Sequence, residues 1–143
     1  MKQPPPELIS RYLEVCPEFR RRWDEHLAYW KDEERGTFID LAEVVHFIVD
    51  SYSGGQLDIV QRALTLTESL LAEDDPETNG LVTYGLLETL QTHASHKPYG
   101  SDVFEKFLGP ISMQAWREIE LDWQGKRSLA EVIRAEKSSK DDG

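Results

Sequence analysis

A chain of 143 residues, 39% hydrophobic and 10% aromatic, is long enough to bury one core without disulfides or a structural metal and too short for two. Its single cysteine, Cys16, excludes an internal disulfide and fits a reducing, cytoplasmic setting. A net charge of -11 argues against nucleic acid and other acidic partners, because phosphate contacts need clustered Lys and Arg.

The opening Met1-Lys2-Gln3-Pro4-Pro5-Pro6 has no apolar leader core, and no apolar run approaches the roughly 18 residues of a membrane span, so neither a signal peptide nor a membrane contact is expected. Pro6 can open a helix from Glu7 toward Val15 with Leu8, Tyr12 and Val15 on one side, stopped by Pro17. A second helix is expected from Glu18 to Lys31, with Phe19, Trp23, Leu27 and Trp30 facing the core and Gly36 ending the acidic turn after it. From Thr37 to Tyr52, Phe38, Leu41, Ala42, Val45, Ile48 and Val49 form a helical stripe, widened by Val44 and Phe47, with Asp40, Glu43 and Asp50 outside. Gly54-Gly55 stops it, and a helix from Leu57 to Ala72 buries Val60, Ala63, Leu64, Thr67, Leu70 and Leu71.

Asp75 should cap the next helix with Pro76 at its first position, and Leu81, Val82, Gly85, Leu86 and Leu90 make its seam. Thr92 to Gly100 reads as the longest internal loop, followed by a short helix from Asp102 to Leu108. Ser112 can cap a helix carrying Ala115, Trp116, Ile119 and Trp123 that closes at Gly125, and Ser128 to Glu131 is a capping box opening a last one. The expected fold is all-α, a compact bundle or short HEAT-like pile of about six to eight helices. Residues 1–137 should form a single helical domain, followed by a flexible acidic tail over 138–143.

Chemistry-bearing residues are sparse. His93 and His96, with Glu88, have a metal-like spacing, but the segment should leave the helix before Pro98. His46 stands within a turn of Glu43 and Asp50, and His26 next to Glu25, yet no nucleophile is tied to either. Cys16 at a helix end faces carbonyl dipoles that disfavour a thiolate. Arg20-Arg21-Arg22 fans around a helix rather than forming a stripe, and the acidic turns lack the alternating ligands of a calcium loop. Neither a catalytic centre, nor a metal, nor a cofactor is expected.

Charge is placed unevenly. From Gly36 to His96 there are ten acids and one base, Arg62, which makes this stretch either a solvated surface or a docking face for a basic protein.

The run Leu108-Gly109-Pro110-Ile111-Ser112 with Ala115-Trp116 and Trp123, the stretch from Leu81 through Gly85-Leu86-Leu87-Glu88 to Leu90-Gln91, and Trp30-Lys31-Asp32-Glu33-Glu34 together span about Trp23 to Trp123. They resemble a family of small acidic bacterial helical proteins of unassigned function, some members of which look like immunity proteins of polymorphic toxin systems. The resemblance implies a non-catalytic inhibitor of a basic protein partner, a cognate toxin, and brings no catalytic residues with it. Carboxylates in exposed turns suit that role, since they can enter a basic cleft at the phosphate positions and complementary fields speed association. On that ground Asp32, Glu33, Asp74, Asp75 and Glu77 are the expected contact residues. The alternative is a helical adaptor or regulatory subunit that docks through an apolar groove, where an exposed Trp116 or Trp123 would matter more. Oligomeric state is left open.

Overall fold

Apolar stripes alternating with Gly- and Pro-rich breaks produce seven α-helices and no strand among the residues described by the computed structural model, 5–31 and 33–141; the side chains of 126–132 and 135–141 lie outside that description. The helices are α1 (Glu7–Val15), α2 (Arg20–Trp30), α3 (Thr37–Ser53), α4 (Leu57–Ala72), α5 (Pro76–Gly80), α6 (Glu88–Ser95) and α7 (Pro110–Asp141). A π-helical segment, Leu81–Leu87, joins α5 to α6, and 3₁₀ turns lie at Pro17–Phe19 and Asp102–Phe107.

α3 is the central helix, packed on α2, α4, the π segment and α6. The short link Gly54-Gly55-Gln56, with Gly55 at φ 77°, sends α4 back antiparallel to it. α2 also lies antiparallel to α3, since Arg22 meets Asp50 while His26 meets Asp40. α1 lies antiparallel to α4, with Tyr12 bonded to Thr67 and Cys16 against the Ile59 carbonyl. The helix formed by α5, the π segment and α6 runs parallel to α3, with Gly85 beside Leu41 and His93 beside His46. One consequence bears on function. The Lys31–Gly36 turn and the Glu73–Glu77 turn emerge at the same end of the bundle, opposite Gly54-Gly55.

Trp23, Trp116, Phe19, Phe104, Tyr12 and the aliphatic faces of α3, α4 and α6 fill the core. The buried face of α1 is Ile9, Tyr12 and Leu13, rotated from the expected Leu8, Tyr12 and Val15. The expected seam of α4 is buried throughout, including Thr67, whose hydroxyl donates to the Ala63 carbonyl.

The π segment was not foreseen. Its hallmark is the Glu88 amide donating to the carbonyl of Thr83, five residues back. The extra residue per turn lets Leu86 and Leu87 both reach the core, and it sits where α3 comes closest: a Cβ on Gly85 would lie 2.7 Å from Leu41 Cδ1. α6 then persists to Ser95, so most of the expected Thr92–Gly100 loop is shorter and His93 is helical.

α7 starts earlier than Ser112 and is capped by another helix. Pro110 takes the first position, and the Glu68 carboxylate of α4 accepts the amides of Ile111 at 3.0 Å and Ser112 at 2.7 Å and the Ser112 hydroxyl at 2.9 Å. The Ser112 oxygen in turn accepts the Gly109 amide at 3.0 Å. Glycine at 109 makes room for the cap, because a Cβ there would stand 2.5 Å from Glu68 Cδ and displace the carboxylate. Nor does α7 close at Gly125 and reopen at Ser128. It continues as one helix of 32 residues, about 48 Å long, and residues from Ser138 to Asp141 remain helical. From the Glu68 cap it runs antiparallel to α4, because Arg117 pairs with Glu105, whose neighbour Phe104 packs on Tyr52 at the Gly54-Gly55 end. Residues Leu121 to Gly125 are all exposed, so the rest of the helix overhangs that end.

Burial opposes ionisation of Glu68, but the amides of Ser112 and Ile111 and the Ser112 hydroxyl outweigh it and hold the carboxyl below the usual range. A lowered folded-state value gives stability that is complete above the unfolded carboxylate range and lost as pH falls through the lowered value. Glu68→Ala should therefore cost about 1–2 kcal/mol in urea melts at neutral pH. The gap to wild type should narrow as pH falls below the usual carboxylate range; a gap that stays constant would remove the ionised cap from the account.

Candidate functional site

Asp40 was expected on the solvent side of α3, and the structure buries it at 3% exposure. It shares the face of Val44, Ile48 and Ser51 that turns toward its neighbours. A lone carboxylate there would be too costly to desolvate, and two donors hold it: His26 Nε2 at 2.9 Å and Arg35 Nε at 2.6 Å, both on Oδ1. The first turn of α3 adds its own positive end. Arg35 is in turn seated on an aromatic, its guanidinium carbon 5.4 Å from the centre of a Trp23 ring. The signal for this was present in the sequence at one point. His26 occupies the i+3 place in the stripe Trp23, His26, Leu27, Trp30, which is a core position.

Beside this network lies an open groove of about 350 Å³, walled by Tyr29 and Trp30 of α2 and Ile39, Ala42 and His46 of α3, with Glu25, His26 and Glu43 as its polar lining. Tyr29 is 81% exposed, and Trp30 packs edge-on against it at 6.0 Å. Glu43 has three nitrogen neighbours, His26 Nδ1 at 3.7 Å, His46 Nδ1 at 3.9 Å and Arg22 Nε at 4.0 Å. None is within hydrogen-bonding distance. A wider depression on the outer side of α2, along Pro17, Arg21 and Ala28, has no buried side chain in its lining.

At the rim of the groove α2 stops at Lys31, whose φ of 53° is a conformation glycine adopts more readily. The stop is therefore Lys31 and not Gly36, which is extended and precedes α3. Lys31→Gly should raise stability by about 1 kcal/mol in denaturant melts; a loss would show that the lysine side chain holds the turn. Asp40→Ala should have the opposite and larger effect, about 3 kcal/mol or more, because Arg35 and His26 lose their buried counter-charge. A loss below about 1 kcal/mol in the same melts would mean that the network is solvated.

Of the expected contact residues, Asp32 lies outside the described residues. Glu33, Asp74, Asp75 and Glu77 are all exposed at the same end of the bundle. Asp75 has a structural task as well, since it caps α5 by accepting the Glu77 amide at 3.2 Å and the Thr78 hydroxyl at 2.7 Å. Several other acids of the Gly36–His96 stretch are also engaged within the molecule. Asp50 pairs with Arg22, Asp58 with Arg62, and Glu73 with Arg11.

The remaining constellations resolve into packing. His93 stacks on His46, with ring centres 4.5 Å apart, instead of meeting His96, and burial followed by the His46 charge pushes its pKa down. Cys16 is buried, and that burial raises its thiol to about 11. Trp23 and Trp116 are core residues, Trp30 is half-buried, and Trp123 is 43% exposed. Asp102, Glu105 and Glu120 bring carboxylate oxygens within 4.8 Å of one another, a cluster not foreseen, and Arg117 pairs with two of them. His26 and Asp40 have the geometry of an oriented imidazole, but no hydroxyl or thiol hydrogen-bonds to that ring among the described residues. No helix among the described residues is long and apolar enough to cross a membrane.

Residues 9–124 match the family described as Domain of unknown function (DUF7674), a span that takes in the groove and both acidic turns and ends within α7. Neither a curated protein nor a solved structure matches the chain.

Proposed function

The chain belongs to the DUF7674 family, a domain of unknown function, and from that premise we propose that it is a non-catalytic protein-binding domain. In this reading it is an immunity-type inhibitor, acting in the bacterial cytoplasm, that neutralises a basic cognate toxin through its acidic end. The carrying observation is the convergence of two turns. Glu33, Glu34, Asp74 and Glu77 are exposed together at one end of the bundle and form no ion pair among the described residues. Six other carboxylates of the acidic stretch, Asp40, Asp50, Asp58, Glu68, Glu73 and Asp75, are occupied by donors of the chain itself. A net charge of -11 adds long-range attraction for a basic surface, which speeds encounter and weakens with salt.

The exposed Tyr29, Phe38 and Ile39 favour a second reading, an adaptor that docks through apolar contact. The two differ in their response to ionic strength. Because Asp75 is a cap, the charge-reversal variant should spare it: Glu33→Lys, Asp74→Lys and Glu77→Lys together. This variant should keep the wild-type melting curve and lose at least about tenfold in affinity for a basic protein captured from the native host, with wild-type capture itself weakened by high salt. Co-expression of the two should restore growth that the captured protein alone arrests. Binding that is indifferent to both salt and charge reversal would transfer the assignment to the adaptor.

A further inference from the structure

The α2–α3 groove has a chemistry that the acidic turns lack, an aromatic wall facing a carboxylate that has no hydrogen-bond partner among the described residues. We propose that it is the seat of one arginine side chain presented by the basic protein partner. Its guanidinium would lie against Tyr29 and Trp30 and donate to Glu43 and His26. This rests on the reading above for the partner's charge, and on the groove for everything else.

Three observations carry it. The first is a pair of facing acceptors. With Nε2–H given to Asp40 at 2.9 Å, a neutral His26 ring presents Nδ1 as an acceptor, and Glu43 Oε2 stands off from it at 3.7 Å. A donor with two parallel N–H groups satisfies both acceptors at once, and guanidinium has that fork where an ammonium does not.

The second is the wall. Tyr29 is 81% exposed at a position where burying an aromatic on a partner gains far more than leaving it in water, and a stacked guanidinium is the cation that best uses such a face. The third is a precedent within the same few residues. Arg35 lies over Trp23 and pairs with Asp40, so the fold already seats one guanidinium between an aromatic ring and a carboxylate directly beneath the groove. The groove sets the same two elements, Tyr29 and Trp30 on one side and Glu43 on the other, at the surface, with Arg22 no closer to Glu43 than 4.0 Å. Its volume of about 350 Å³ accommodates one long side chain, and it opens beside the Lys31–Gly36 turn, at the acidic end.

The test uses the full chain, isotope-labelled for NMR, titrated with the blocked tripeptide acetyl-Gly-Arg-Gly-amide. Its citrulline and lysine counterparts serve as comparators. Trp30→Phe assigns the Trp30 indole signal while keeping an aromatic wall. The arginine peptide should shift the Trp30 indole, Tyr29 and His46 signals saturably, with the citrulline peptide weaker by about fivefold or more. Glu43→Gln should cut arginine affinity by a similar factor without moving the melting curve, since its contacts are no closer than 3.7 Å. Equal shifts from citrulline, or arginine shifts confined to the Glu73–Glu77 turn, would overturn the proposal. The Glu33, Asp74 and Glu77 charge-reversal variant separates the two readings. Arginine-peptide binding retained there with partner capture lost supports both; capture that depends on those charges with no peptide binding in the groove sinks the groove alone.

Discussion

Burying the Asp40 carboxylate commits three separate pieces of chain to one arrangement. His26 comes from α2, Arg35 from the turn, and Asp40 from the first turn of α3, and both donors converge on a single oxygen. A desolvated charge tolerates no loss of its partners, so α2 is not free to slide along α3 and the turn between them is tied down at Arg35. Such a network adds little stability over an apolar core of the same shape; what it adds is register. The groove follows from that register. With His26 drawn inward, Tyr29 and Trp30 are carried to the rim, and Glu43, one turn beyond Asp40, is left facing them.

The same economy governs the other helix junctions. Glu68 reaches across from α4 to start α7, and the backbone at residue 109 comes so close to it that a side chain there would displace the carboxylate. Gly85 lets the π segment lie on α3 at Leu41. Carboxylates and glycines thus set the contacts between helices, and much of the acidic character in the middle of the chain is structural in origin. At the acidic end, the carboxylates without an ion pair among the described residues are the smaller set on the two turns, Glu33, Glu34, Asp74 and Glu77.

The helices themselves were legible because their stripes and breaks are local: α3, α4 and the start of α5 fall where periodicity, Gly54-Gly55 and Asp75-Pro76 put them. Features that depend on distant partners were not. An acid flanked by apolar residues is ordinarily the solvent side of a helix, and Asp40 departs from this only because His26 lies 14 residues away in sequence and beside it in space. The π segment depends on packing at Gly85, which periodicity does not encode. Gly125 reads as a stop, yet one glycine costs an exposed helix only about 1 kcal/mol, and α7 passes through it. The exposed acidic turns were legible as turns because charge runs are visible in sequence; the groove was not foreseen because Tyr29 and Ile39 look like ordinary members of amphipathic stripes.

The overhang of α7 has an electrical consequence. Residues 126–143 hold five bases and four acids, so the negative charge of the chain resides on the body, and Glu33, Glu34, Asp74 and Glu77 are exposed at the end that α7 leaves behind. Charge and mass therefore have different centres along the bundle axis, and the molecule is a permanent dipole as well as an anion. In the field of a cationic surface it would turn before contact, arriving with the Lys31–Gly36 and Glu73–Glu77 turns in front and the overhang trailing.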